Sequence, residues 1–204
     1  MPTEPQNARR IGVFGGTFDP PHLGHLAVAV NVRHALRLDE VLLMVANHPW
    51  QKDGVRAVSP PEDRFALVCA AVAQVDGLAA SSLEIELGGP SFTANTLAAL
   101  HERNSNAQYF TIVGADAANG FDSWERCDEV AALSTLVVVD RPGVVTHPPQ
   151  PKTGSWVHVE VPHLEVSSSD LRARVADGRP LDFLVPLSVA HEIERRQLYR
   201  VAGS

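Results

Sequence analysis

The sequence predicts an α/β protein: an open, mostly parallel sheet with helices on both faces. Three observations carry that prediction. Short apolar runs alternate with segments of helical period along most of the 204 residues, and strands separated by helices join in parallel through right-handed crossovers. The first apolar run ends in the pair Gly15-Gly16, directly before a helical pattern. Open α/β sheets hold ligands at such a place, the carboxyl end of a strand. Hydrophobic residues make up 45% of the chain and charged residues 20%, which suffices for a sizeable core in one domain spanning 1–204.

Taken in order, residues 11–14 read as a buried strand entering a tight loop at Gly15-Gly16. Residues 22–36 read as a helix, with Leu26, Ala27 and Val30 at helical spacing, and 41–45 as a second buried strand. Residues 47–58 are polar, carry Pro49 and Gly54, and read as a loop. Ser59-Pro60-Pro61-Glu62 resembles a helix start, with Ser59 as N-cap, proline in the first turn and Glu62 three residues on; that helix runs to about Ala73. Residues 83–87 alternate apolar and acidic side chains, as a half-exposed strand does, before the break at Gly88-Gly89-Pro90. A helix over 93–103, a strand over 109–113 ending at Gly114, a helix over 124–133 and a strand over 136–139 follow. The Pro-, Gly- and Thr-rich stretch 144–155 reads as a surface loop. Residues 157–161 form a last strand, 168–176 a helix closed by Asp177-Gly178, and 187–196 a terminal helix.

Charge and composition exclude several function classes. The net charge of −7 argues against nonspecific nucleic-acid binding. Residues 1–9 are polar, lack the apolar segment of a secretory signal, and read as a flexible N-terminus. The longest apolar runs, such as 136–139, are too short to span a bilayer. Cys69 and Cys127 show no metal spacing and read as reduced thiols. A cytoplasmic protein without membrane or nucleic-acid partners is expected; homo-oligomerisation stays open. No His/Cys/Asp cluster has zinc spacing, so no protein-held metal is expected. His34, His101, His147, His158, His163 and His191 are scattered and receive no role.

The most informative segment is Gly15-Gly16-Thr17-Phe18-Asp19-Pro20-Pro21-His22-Leu23-Gly24-His25. Paired glycines let a backbone approach a phosphate with no Cβ in the way. The helix that follows offers unpaired N–H groups and partial positive charge to an anion. His22 and His25, three apart, share one helix face and can address one phosphate chain. The string lacks the Lys-Ser/Thr of a P-loop and the GxGxxG of a dinucleotide fold. A second candidate anion site is Val166-Ser167-Ser168-Ser169-Asp170-Leu171-Arg172, where hydroxyls and free N–H groups open a helix and Arg172 adds a guanidinium fork. The plain alternatives are a glycine turn with surface histidines, and an ordinary serine cap with Arg172 in solvent.

These strings resemble the HxGH signature and the second signature, Ile-Ser-Ser-Thr-x-Ile-Arg, of the nucleotidyltransferase α/β-phosphodiesterase superfamily, whose fold is Rossmann-like. Gly-Gly-Thr-Phe-Asp-Pro resembles the bacterial nicotinate-nucleotide adenylyltransferases in particular. The resemblance implies adenylyl transfer from ATP to nicotinate mononucleotide, giving deamido-NAD and pyrophosphate, with Mg²⁺ arriving on ATP. It implies catalytic roles for His22, His25, Lys52 and Arg172. ATP contacts are implied for Gly15, Gly16, Thr17, Phe18, Gly24, Gly114, Asp116, Arg141, Ser168 and Ser169, with the C-terminal part, 163–204, completing the ATP site. Lys52 lies in Asn47-His48-Pro49-Trp50-Gln51-Lys52, Asp116 in a Gly-x-Asp string, and Arg141 in Arg-Pro-Gly. Asn47, Thr93 and Trp124 are implied at the acceptor, Trp124 as a ring-stacking group. Two departures stand near it: Phe92 replaces a family Tyr, and Glu125 replaces an aromatic found in many relatives. The terminal Arg-Gln-Leu-Tyr-Arg is also similar to the family's end.

Other readings keep the same chemistry with nicotinamide mononucleotide, phosphopantetheine or a cytidylyl-transfer substrate, or make the chain a catalytically idle nucleotide-binding protein. Thr93, Trp124 and the glycine string favour a pyridine nucleotide; intact His22, His25 and Arg172 favour catalysis. A tRNA synthetase shares the histidine signature distantly, but 204 residues and an acidic charge leave no place for its tRNA-binding parts.

Overall fold

The structure, a computed structural model, describes residues 8–48, 58–139 and 154–200. Six strands, β1 (Arg10–Gly16), β2 (Glu40–Val45), β3 (Leu78–Ser81), β4 (Gln108–Gly114), β5 (Thr135–Val139) and β6 (Trp156–Val159), form one sheet. Its order is β3-β2-β1-β4-β5-β6, and every neighbouring pair is parallel. β2 and β5 are near-continuous apolar runs because both of their faces are covered: Val41, Leu43, Met44 and Val45 are fully buried, as are Val137 and Val138. The chain winds from β1 outward to β3, then returns to β4 beside β1 and winds the other way. The reversal leaves a crevice at the carboxyl ends of β1 and β4, where open α/β sheets bind ligands.

The helices are α1 (Leu23–Ala35), α2 (Pro61–Val72), α3 (Leu83–Leu87), α4 (Thr93–Arg103), α5 (Ala115–Asn119), α6 (Cys127–Leu133), α7 (Ser168–Asp177) and α8 (Leu187–Arg195). Two cores flank the sheet. One joins it to α1, α2, α7 and α8 through Val32, Leu67, Leu171 and Val189; the other joins it to α3, α4 and α6 through Leu83, Leu97 and Val130. Gly12 allows the sheet to pack closely at its centre, since a Cβ there would meet Val41, Leu38 and Ile112 side chains at 2.9–3.1 Å.

The structure corrects several local expectations. β1 runs through Gly15 and Gly16, paired with Met44 and Val45, so the glycines end the strand rather than follow it. On α1 the buried residues are Ala29 and Val32, whereas Val30 is 38% exposed. Residues 83–87 are helix, not strand. Leu83 and Glu84, adjacent in sequence, are both buried, which an alternating strand on one buried face does not allow. The edge strand is instead Leu78–Ser81, in register with Val41–Met44 of β2. Ser59 does not cap α2: Pro60 holds the N-cap position with no side-chain bond, because consecutive prolines fix the backbone at the helix entrance. Trp124 precedes helix α6 at the end of a 3₁₀ turn, Phe121–Ser123. The last strand is shorter than 157–161 and begins at Trp156. The loop expected at 144–155 lies outside the described residues except for its last two.

Candidate active site

The site grows from the end of β1. Gly15 stands where an added Cβ would meet nothing within 4 Å, so the backbone faces open space. Gly16 is required for a different reason, since its Cβ would sit 2.7 Å from the Phe18 ring. Phe18 turns back under the sheet end, with φ of 50° and only 2% exposure. Its ring packs edge-on against Phe14 and His25. The Phe18 ring is thereby committed to packing.

His22 is the N-cap residue of α1, and His25 occupies its third helical position. Their rings stack with centroids 3.7 Å apart. The His22 backbone N–H donates to His25 Nδ1 at 3.2 Å, so the neutral His25 ring carries its proton on Nε2, the nitrogen free of that bond. Gly24 explains the stacking: a Cβ there would meet His22 Nδ1 at 3.0 Å and Cε1 at 3.1 Å. The glycine between the histidines therefore makes room for an imidazole.

The second motif lands on the first. Ser168 Oγ donates to the Pro20 carbonyl at 2.8 Å, and Arg172 Nη1 donates to the Asp19 carbonyl at 2.6 Å. Arg172 Nη2 also reaches Ser169 Oγ at 3.0 Å. Ser167, not Ser168, caps α7 by accepting from Asp170 N–H. His22, His25, Ser168, Ser169 and Arg172, remote in sequence, thus gather around the Asp19-Pro20 turn.

Behind that turn lies a network the sequence reading missed. Arg64 on α2 is 1% exposed. Its guanidinium donates to the carbonyls of Ser59, Thr17, Ala46 and Asn47 at 2.7–3.1 Å. One side chain therefore fastens the loops after β1 and β2 to the start of α2. Burial pushes its pKa down, while the nearby Asp19 charge pulls it up. Asp19 is buried too, and accepts the Tyr199 hydroxyl at 2.8 Å; burial followed by the Asp19 charge pushes that phenol far up. The available signals were faint: an arginine inside an apolar helical run, and the tyrosine in the terminal Arg-Gln-Leu-Tyr-Arg string.

Beside Phe14 opens a cavity of about 220 Å³ at the β1/β4 crevice. Gly15, Gly16, Thr17, Thr93, Gly114 and Trp124 line it, so six of the expected residues share one space. Thr93 opens α4, and Trp124 is braced by Phe121 at 5.5 Å between centroids. Glu84, unassigned by sequence, lines the same cavity. Asn47 stands behind the rim: its side chain donates to the Gly89 carbonyl at 3.0 Å and its N–H to Ser91 Oγ at 2.8 Å. Asp116 is exposed in the first turn of α5, next to the cavity wall at Gly114 and Ala117. Lys52 and Arg141 lie outside the described residues. Among the described residues no group of three or more His, Cys, Asp or Glu side chains could hold a metal, and no helix is long and apolar enough to cross a membrane.

A glycine-ended strand, a stacked histidine pair and a serine–arginine helix start around one crevice suit a nucleotide substrate. The family model for cytidylyltransferase-like proteins matches residues 13–174. The chain belongs to the cytidylyltransferase-like family. A "Probable nicotinate-nucleotide adenylyltransferase" of Corynebacterium kroppenstedtii is 41% identical to it, across 97% of this chain and 94% of that protein. One of the same name from Streptomyces coelicolor is 43% identical, across 92% and 99%. Among solved structures, Plasmodium falciparum nicotinic acid mononucleotide adenylyltransferase complexed with NaAD superposes with a TM-score of 0.76, covering 94% of this chain and 97% of that one. At 15% identity this likeness bears on the fold, an open α/β sheet of Rossmann-like form.

Proposed function

We propose that this member of the family is a nicotinate-nucleotide adenylyltransferase: it transfers AMP from ATP to nicotinate mononucleotide, yielding deamido-NAD and pyrophosphate in NAD synthesis. The observation that carries the reading is the stacked His22–His25 pair at the end of β1, beside a cavity with Thr93 and Trp124. The relatives named above, about 40% identical over nearly the whole chain, support the same activity.

The acceptor phosphate attacks the α-phosphorus and pyrophosphate leaves. That phosphate is ionised near neutral pH, so the reaction needs no general base. Catalysis then rests on alignment and on donors aimed at the phosphoryl oxygens. His25 Nε2–H is assigned to the α-phosphate, with His22 beside it. Arg172, Ser168 and Ser169 are assigned to the ATP phosphates from the C-terminal part, and Gly15, Gly16, Thr17, Phe18, Gly24, Gly114 and Asp116 to ATP. Lys52 and Arg141 are assigned to the phosphates from outside the described residues. Mg²⁺ enters as part of the ATP substrate, with phosphate and water oxygens as its main ligands. ATP as donor and two free cysteines suit the cytoplasm.

For the acceptor, Thr93 and the N–H groups opening α4 form a donor-lined wall that favours a carboxylate over a carboxamide. Trp124 clamps the ring, and Asn47 holds the wall through Gly89 and Ser91. Pyrophosphate release with ATP and each candidate mononucleotide tests the reading. Nicotinate mononucleotide should exceed the nicotinamide form in kcat/KM by at least about tenfold. Equal values defeat the donor-lined wall, and no release with either acceptor defeats the function.

A further inference from the structure

Glu84 is a buried carboxyl with no ion-pair partner among the described residues. It stands in the first turn of α3 at 8% exposure and lines the cavity that holds Thr93 and Trp124. Thr96 Oγ1 donates to its Oε1 at 2.6 Å. Ser91 is a second hydroxyl donor to it: the Ser91 oxygen already accepts the Asn47 N–H, which turns its proton toward the carboxyl. Two donors suit an ionised carboxylate. Burial nonetheless pushes the Glu84 pKa up. Among the described residues, no Lys, Arg or His forms an ion pair with it; the neighbouring Glu86 takes Arg103 instead.

An anion taken out of water with hydroxyl partners alone is costly until a cation arrives. The acceptor class assigned to this cavity carries one, the pyridinium ring. We propose that Glu84 is the counter-charge for that ring and selects acceptors with a cationic ring over those with a neutral, reduced ring. The inference rests on the acceptor reading given above. It divides the work in the cavity: the start of α4 reads the ring's substituent, Trp124 offers a face to either ring form, and Glu84 reads the ring's charge.

The test uses oxidised and reduced nicotinamide mononucleotide, which differ by one hydride and so by one ring charge. Calorimetric Kd values are measured for both on the wild-type chain, on Glu84→Gln and on Glu84→Ala. The wild type should bind the oxidised form more tightly by roughly ten- to a hundredfold, the scale of one partly screened charge pair. Glu84→Gln keeps partners for Thr96 and Ser91, so its ratio should fall to within about twofold of unity, the loss falling on the oxidised form while ATP affinity stays unchanged. Glu84→Ala should lose the preference as well. An unchanged ratio, or equal weakening of both forms, overturns the inference and leaves Glu84 a packing residue. If the wild type binds ATP but not nicotinate mononucleotide, the acceptor reading itself fails, and this inference with it; if it binds nicotinate mononucleotide and shows no preference for the oxidised over the reduced nicotinamide form, the inference alone is overturned. Turnover of nicotinate mononucleotide together with an unchanged ratio in Glu84→Gln defeats the inference alone.

Discussion

On the side of β1 proposed for the acceptor, the crevice is a cavity of about 220 Å³ whose lining includes Gly15, Gly16 and Gly114 together with Thr93 and Trp124. On the side proposed for the phosphates it is a cluster of side chains already fastened to one another and to a turn: His22 on His25, Ser168 on Pro20, Arg172 on Asp19. Under the proposed function, the difference follows from the ligands each side would receive. A flat ring is recognised by the shape of a preformed slot. A polyphosphate needs several donors at fixed spacing, and long side chains hold such spacing only when a second contact removes their rotamer freedom. Arg64 belongs to both sides, since it holds Thr17 from one loop and Ala46 and Asn47 from the other.

Breaking that shared support should have the largest effect. Arg64→Met leaves four carbonyls without their donor and removes a buried positive charge near Asp19, and is expected to cost about 3–5 kcal/mol of stability. Urea unfolding measures the loss, and a change near zero would mean that the two sides do not depend on Arg64. Next comes His25→Ala, which touches the phosphate side alone. It should lower kcat by roughly 10²- to 10³-fold, the scale of one lost transition-state donor, with little change in acceptor KM or in Tm. Near-normal turnover would remove His25 from the chemistry. The smallest effect is expected from Arg172→Lys. An ammonium cannot span both the Asp19 carbonyl and Ser169 Oγ, so ATP should bind about tenfold more weakly, roughly the worth of one charge-assisted hydrogen bond, while acceptor KM changes less. Equivalence of Lys and Arg would make residue 172 a diffuse charge.

Legibility in the sequence followed the range of the interactions. β1, α1 and the placement of His22 and His25 were readable because a strand, a glycine pair and an i, i+3 spacing are local. Trp124 and Thr93, both expected at the acceptor, line one cavity, although Trp124 was expected inside a helix that begins three residues later, at Cys127. The edge of the sheet was misread. Residues 83–87 carry the alternation of a strand, yet 78–81, with only Leu78 as a large apolar residue, pairs with β2. Pairing there depends on how far α2 carries the chain before it turns back, which no local pattern records.

By itself the sequence determined the alternating α/β order, the glycine-ended first strand and the shared face of the two histidines. Each of these is fixed by backbone geometry within a few residues. Tertiary structure alone decided that Arg172 meets Asp19 across 153 positions and Ser168 meets Pro20 across 148. It also decided that Arg64 is the buried knot behind both loops, and that Glu84 faces the cavity with no ion-pair partner among the described residues. These contacts depend on the order β3-β2-β1-β4-β5-β6, which returns the chain to β1 only after three crossovers. A charged residue's surroundings are set by that return, and its own neighbours in sequence do not reveal them.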